Sequence, residues 1–313
     1  MQHAVSKAID AISNVIIGQE NVIEKLFIAI LVDGHVLLES VPGSGKTKLA
    51  KSFARVINGS FNRIQFTPDV LPSDVTGIRF FNPQTQEFEM RTGPVLTTIL
   101  LADEINRATP KTQSSLLEAM GEGQATIDGI TVPIPAPFMV LATQNPIENG
   151  QGTFPLPQAQ LDRFLFKINL SYPSIEEEKE ILRTNRSEDP LQSLIPMLSL
   201  QDLQEVKADI QLVTMSEAVT DYLLRIVQAT REHPDIMHGV STRGALSLMK
   251  ASQAHAWLRG RSFVQPEDVK ALAPFVLSHR IVLEMTATFK SENMEVIQAI
   301  LHTIDVPVEI EGS

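Results

Sequence analysis

The chain has no cysteine, which removes disulfides, thiolate metal sites and cysteine nucleophiles together. It lacks any apolar run near the roughly 18 residues that a membrane-crossing helix requires. Met1 to Asp10 carries no basic flank leading into an apolar segment, so no secretory signal is expected and the cytoplasm is the expected compartment. Basic residues are in deficit: 26 Lys and Arg against 37 Asp and Glu give a net charge of −11, with a pI near 5.1. A protein built to grip a nucleic-acid backbone usually shows the opposite balance. The seven histidines lack the i, i+3 or i+4 spacing of a metal site on one helix. What remains is 313 residues, 43% hydrophobic, enough for a sizeable core and about two domains.

One stretch organises the rest, His35 to Phe53. Val36, Leu37 and Leu38 read as a buried strand, Pro42, Gly43, Ser44 and Gly45 as a glycine-rich turn, and Lys46–Thr47 as the start of an amphipathic helix. Strand, glycine turn and helix N-terminus are the context a phosphate-binding loop requires. The glycines let backbone N–H groups turn inward as an anion nest, and the helix adds its own unpaired N–H groups and dipole. Lys46 can reach β- and γ-phosphate oxygens, and the Thr47 hydroxyl can ligate Mg²⁺. The first glycine of the full G-x-x-x-x-G-K-[ST] pattern is replaced by Ser40, on the far side of the turn, where binding should tolerate it.

The stretch Ile99 to Glu104 supports this reading. Four apolar residues form a buried strand with two carboxylates at its C-terminal end, where ligands bind in parallel α/β sheets. Asp103 would hold Mg²⁺, and Glu104 would polarise the water that attacks the γ-phosphate. A second apolar strand, 138–142, ends in Thr143-Gln144-Asn145-Pro146, where a polar side chain could touch the γ-phosphate. Two hairpins are expected, about 78–90 and 121–137, the latter turning at Asp128-Gly129. Further helices are expected at 4–14, 21–33 with Gly34 as C-cap, 47–57, 110–120 and 156–164.

Gly18-Gln19-Glu20, PGSGKT (42–47), LLADEINRA (100–108), ATQNP (142–146) and LPQAQLDRF (156–164) resemble, in wording and order, the MoxR-type AAA+ ATPases. The resemblance implies an α/β fold, an AAA+ P-loop NTPase core with a parallel sheet in residues 1–172, followed by an all-α lid domain in 173–313. It implies that Asn145 is the first sensor and Arg163 an arginine finger acting on the neighbouring subunit, so that the protein is a ring, a hexamer. It places Gly18 and Gln19 near the adenine. In the second half, helix caps read at Ser174 with Glu177, Ser199, Ser216 and Ser291, with Pro266 at a helix start. Ser241-Thr242-Arg243-Gly244-Ala245 occupies the place of the second sensor, so Arg243 should reach the bound phosphates from the lid.

The function expected is Mg²⁺-dependent ATP hydrolysis, moving lid against core to remodel or mature a client protein. The resemblance also implies a partner carrying a von Willebrand A domain, and a metal- or cofactor-inserting chelatase is a near relative of this reading. A helicase-type nucleic-acid motor would use the same hairpins. Yet 121–137 contains no Lys or Arg, whereas a hairpin pulling on phosphates should be basic. A non-hydrolysing nucleotide-gated scaffold would have no need of Glu104.

Overall fold

Five short parallel strands form the central sheet of the computed structural model, which describes residues 1–41, 43–145, 152–185, 189–288 and 291–307. The chain opens with helices α1 (Gln2–Ser13) and α2 (Glu20–Leu31), then β1 (Val36–Ser40), α3 (Lys46–Val56) and β2 (Phe61–Gln65). A short α4 (Pro72–Thr76) leads into the hairpin β3 (Gly77–Asn82) and β4 (Glu87–Thr92), followed by β5 (Ile99–Asp103) and α5 (Pro110–Glu122). The second hairpin is β6 (Gln124–Ile127) and β7 (Ile130–Pro133), before β8 (Met139–Gln144), the one-turn α6 (Gln158–Leu161) and β9 (Phe166–Leu170).

The sheet order is β2-β5-β8-β1-β9. Strand β5 is buried along its whole length, which is why it reads as a continuous apolar run rather than an alternating one. Alternate residues along each strand serve opposite faces. Val36, Leu38, Ile99, Leu101, Met139 and Leu141 pack with α1–α3, while Leu37, Leu100, Ala102, Val140 and Ala142 pack against the α5 side. The pairing Ile64↔Ala102, Gln65↔Asp103 and the parallel run of β1 bring Ser40, Gln65 and Asp103 to one edge, the carboxyl ends of the strands.

The second half comprises α7 (Ile175–Thr184), α8 (Leu200–Gln211), α9 (Glu217–Glu232), α10 (Thr242–Leu258), α11 (Pro266–Leu277) and α12 (Asn293–Thr303). The capping hydrogen bonds expected of Ser174, Ser199 and Ser216 form, and Pro266 opens α11. These helices do not stand apart from the sheet. Leu203, Val206, Ile210 and Leu248 belong to the same apolar cluster as α1, α2 and the β1 face. A charged cluster reinforces the seam: Arg259 donates to both oxygens of Glu24, His255 lies 2.6 Å from Asp268 and 3.3 Å from Glu24, and Arg261 forks onto Asp268 at 2.6 and 2.7 Å. Burial alone would lower the pKa of His255, but Asp268 and Glu24 outweigh it and raise it. The pKa of Asp268 is brought down to about 2, burial being overcome by Arg261 and His255.

Several expectations need correction. The second half also holds a small antiparallel ribbon, β10 (Ile236–His238) with β11 (Val282–Leu283), too short to show as an apolar run. The last helix is capped by Glu292 with Glu295, not by Ser291. The helix expected over 156–164 shrinks to α6, bounded by Pro157. At the end of α2 the left-handed residue is Asp33 (φ 55°), not Gly34. Gly34 lacks a side chain because a Cβ there would stand 2.6 Å from Leu165.

Candidate functional site

The loop after β1 is built as an anion cradle. Gly43 and Gly45 take left-handed φ of 84° and 80°, and a Cβ at either would meet nothing within 4 Å, so it is backbone conformation and not crowding that calls for glycine there. Gly45 is the N-cap of α3, whose first residues are Lys46 and Thr47. The hydroxyls of Ser40 and Ser44 are both buried without a hydrogen-bond partner among the described residues. Orphaned donors and open backbone N–H groups at a helix N-terminus suit a polyphosphate. Pro42 and Pro146 lie outside the described residues.

Beside this cradle, Asp103 is 2% exposed and engaged on both oxygens. Lys46 Nζ lies 2.8 Å from Oδ1, Thr143 donates to Oδ1 at 2.7 Å, and Arg63 donates to Oδ2 at 2.7 Å. Burial pushes the Asp103 carboxyl up, but these three donors win and hold it below the usual carboxylate range. An ionised carboxylate is a hard-oxygen donor that suits Mg²⁺, and Thr47 follows Lys46 in the first turn of α3. Glu104 sits in the left-handed region (φ 58°) with its amide bonded to Thr143 Oγ1 at 2.9 Å. Its carboxylate accepts from Gln65 at 2.9 Å and pairs with Arg107 at 3.0 Å. Asn145, just past β8, is 6% exposed.

Arg163 and Arg243 lie elsewhere. Arg163 donates to the carbonyl of Leu117 in α5, passing over Gly121, where a Cβ would stand 3.2 Å from the guanidinium. Arg243, at the N-terminus of α10, stands 3.7 Å from Asp162. The two arginines share a cavity of about 270 Å³ with Asp33, Asp162, Lys250 and Arg280. Arg243 is expected from the sequence to reach the bound phosphates from the lid. In this structure it groups with Arg163, in a cavity to which no described residue of the phosphate loop contributes. Gly18 (φ 76°) and Gln19, the N-cap of α2, stand against the start of α7: a Cβ on Gly18 would meet the Glu177 carboxylate at 2.4 Å.

Comparison with known proteins agrees with this geometry. Residues 35–166 match the ATPase family associated with various cellular activities (AAA), and residues 228–302 match the AAA lid domain. The crystal structure of a Cytophaga hutchinsonii protein described as an ATPase superposes with a TM-score of 0.91 at 39% identity, covering 98% of this chain and 96% of that one. Chaperone MoxR1 of Mycobacterium tuberculosis is 43% identical over 97% of this chain and 83% of its own length. The chain belongs to the MoxR-type AAA+ ATPases. Protein MoxR of Paracoccus denitrificans (32% identical) and protein YeaC of Bacillus subtilis (47% identical) match over 95% and 97% of this chain, and over 94% and 95% of their own lengths.

As a MoxR-type AAA+ ATPase, the chain binds and hydrolyses ATP. Lys46, Asp103 and Glu104 are brought together at the carboxyl edge of the sheet, as their strand and loop contexts predict. Thr143, Arg63 and Gln65 were missed. Thr143 and Gln65 act through strand register: Gln65 pairs with Asp103, and Thr143 follows the Ala102↔Ala142 pair. A period-two reading of β2 and β8 aligned on Asp103 would have found them.

Proposed function

We propose that this MoxR-type ATPase works as a ring, most simply a hexamer, in which each nucleotide site is completed by the next subunit. A single observation carries the reading: the acid pair and phosphate loop occupy one place, and Arg163 with Arg243 occupies another within the same chain. Lys46 would exchange Asp103 for phosphate oxygens, leaving Asp103 free to face a cation with Thr47. Mg²⁺ there would neutralise charge shared between phosphate groups. Glu104, steered by Gln65 and Arg107, would take the proton of the attacking water, which Asn145 orients. Arg163 and Arg243 of the neighbour would face the developing charge. An arginine finger contributes on the order of 10³–10⁵ in turnover.

The sheet domain, 1–172, would then be the nucleotide-binding core, with 173–313 as lid. The aromatic edge of β3–β4, with Phe80, Phe81 and Phe88 exposed, suits contact with a client protein to be remodelled or matured. A von Willebrand A domain partner and a cytoplasmic location complete the proposal. The nucleic-acid motor is disfavoured by the absence of any basic residue in 121–137.

Mixing two variants tests the reading. Lys46→Ala loses its own site but still offers Arg163, while Arg163→Ala keeps its site but lacks the finger. Each alone should be nearly inactive, and the mixture should recover substantial ATP turnover. No recovery under conditions of subunit exchange would overturn the shared site.

A further inference from the structure

We infer that Arg280 is a positioning residue for the arginine finger, clamping the backbone on both sides of Arg163 and joining it to Arg243. The inference rests on the proposal that Arg163 acts across the subunit boundary. Arg280 lies in the turn Ser278–Arg280 that follows α11 and is 4% exposed. Its guanidinium donates to the Asp162 carboxylate at 2.8 Å, the Asp162 carbonyl at 3.2 Å, the Phe164 carbonyl at 2.7 Å and the Leu165 carbonyl at 3.2 Å. It also donates to the carbonyl of Val276, in the last turn of α11. Three main-chain acceptors thus bracket Arg163.

The Asp162 carboxylate extends the clamp. Oδ1 takes Arg280, and Oδ2 accepts from the Ser241 hydroxyl at 3.3 Å and faces Arg243 at 3.7 Å. Ser241 is the N-cap of α10, whose first turn carries Arg243. One carboxylate therefore sets the two exposed arginines in fixed relation, with the buried arginine as anchor. Gly244 belongs to the same arrangement, because a Cβ there would stand 2.8 Å from Arg280 Cδ and 2.5 Å from Val240. Burying a guanidinium to tie down one short segment carries a desolvation cost that apolar packing avoids. A fork of planar donors, however, fixes direction in a way a lysine does not.

The test uses the full-length chain. Arg280→Gln and Arg280→Lys should each lower ATP turnover by about 10²-fold when alone, the scale of a 1 Å misplacement of a catalytic group. Their binding of a fluorescent ATP analogue should be unchanged, since the phosphate loop is untouched. Mixing either with Lys46→Ala should restore turnover to the level reached by Arg163→Ala mixed with Lys46→Ala. Asp162→Asn, nearly isosteric, should behave the same way and serves if Arg280 variants do not fold. Full turnover by these variants alone would overturn the inference. So would loss of nucleotide binding with no rescue, in a setting where Arg163→Ala is rescued, because Arg280 would then serve only the fold. Failure of the Arg163→Ala mixture itself would overturn the shared site and this inference with it.

Discussion

Asp103 accepts from three donors, while Glu104 is steered by Gln65 and Arg107. That difference separates their roles. Asp103 is held charged by its donors, whereas Glu104 keeps 21% of its side chain exposed and, in the proposed mechanism, would be released to a water molecule. Glu104→Gln should therefore keep nucleotide binding and lower turnover by about 10²–10⁴-fold, the usual worth of a general base. Steady-state ATPase rates beside nucleotide-binding titrations would check this, and a variant that loses binding in parallel would count against the assignment. At this scale the sequence was legible wherever a residue acts through its own neighbours: Lys46, Thr47, Asp103 and Glu104 all sit at a strand end or helix start. Thr143, Arg63 and Gln65 act through register between strands distant in sequence, which no single stretch displays. Arg243 shows the same limit, for its motif was recognisable but its companion, Arg163, is set by how α10 lies against the segment carrying Arg163.

Among the elements, the parallel strands and most helices follow directly from apolar runs, caps and glycine turns. Failures cluster where an element is shorter than its pattern, as in α6, β10 and β11. Two histidines that join elements give stability opposite pH dependences. His35 accepts from the Val140 amide at 3.0 Å through Nδ1 and lies 3.1 Å from the Met120 carbonyl through Nε2, tying β1 to β8 and α5. Burial, only partly offset by the Met120 carbonyl, lowers its pKa from 6.5 to about 4. The folded chain thus refuses a proton that the unfolded chain accepts, so stability is full above pH 6.5 and falls as pH drops towards 4. By pH 4 the loss from this residue should be on the order of 3 kcal/mol. Denaturant unfolding at stepped pH would show it, and His35→Asn should flatten the acid limb. An unchanged limb in His35→Asn would refute the assignment. His255 runs the other way. Its charged form is held between Glu24 and Asp268, so its contribution is present below pH 6.5 and is lost as pH rises through its raised pKa. His255→Gln should lose less stability than the parent chain on that basic limb.

For the whole molecule, a site completed by a neighbour makes activity a function of concentration. Turnover per subunit should rise with protein concentration and fall on dilution, with a midpoint matching assembly measured by analytical ultracentrifugation. Constant specific activity across a dilution that dissociates the assembly would contradict this. The single apolar cluster linking β1, α1, α2 and the helices of the second half has a mechanical meaning. Prising Leu203, Val206, Ile210 and Leu248 away from that cluster would cost about 6–12 kcal/mol in exposed apolar surface alone. In the proposed ring, a chain so glued would behave as one solid lever, and a cycle of binding and hydrolysis would find its least resistance at the joints between neighbours. Motion in such a wheel would be a change in how the spokes meet, and the force delivered would depend on how stiff each spoke is.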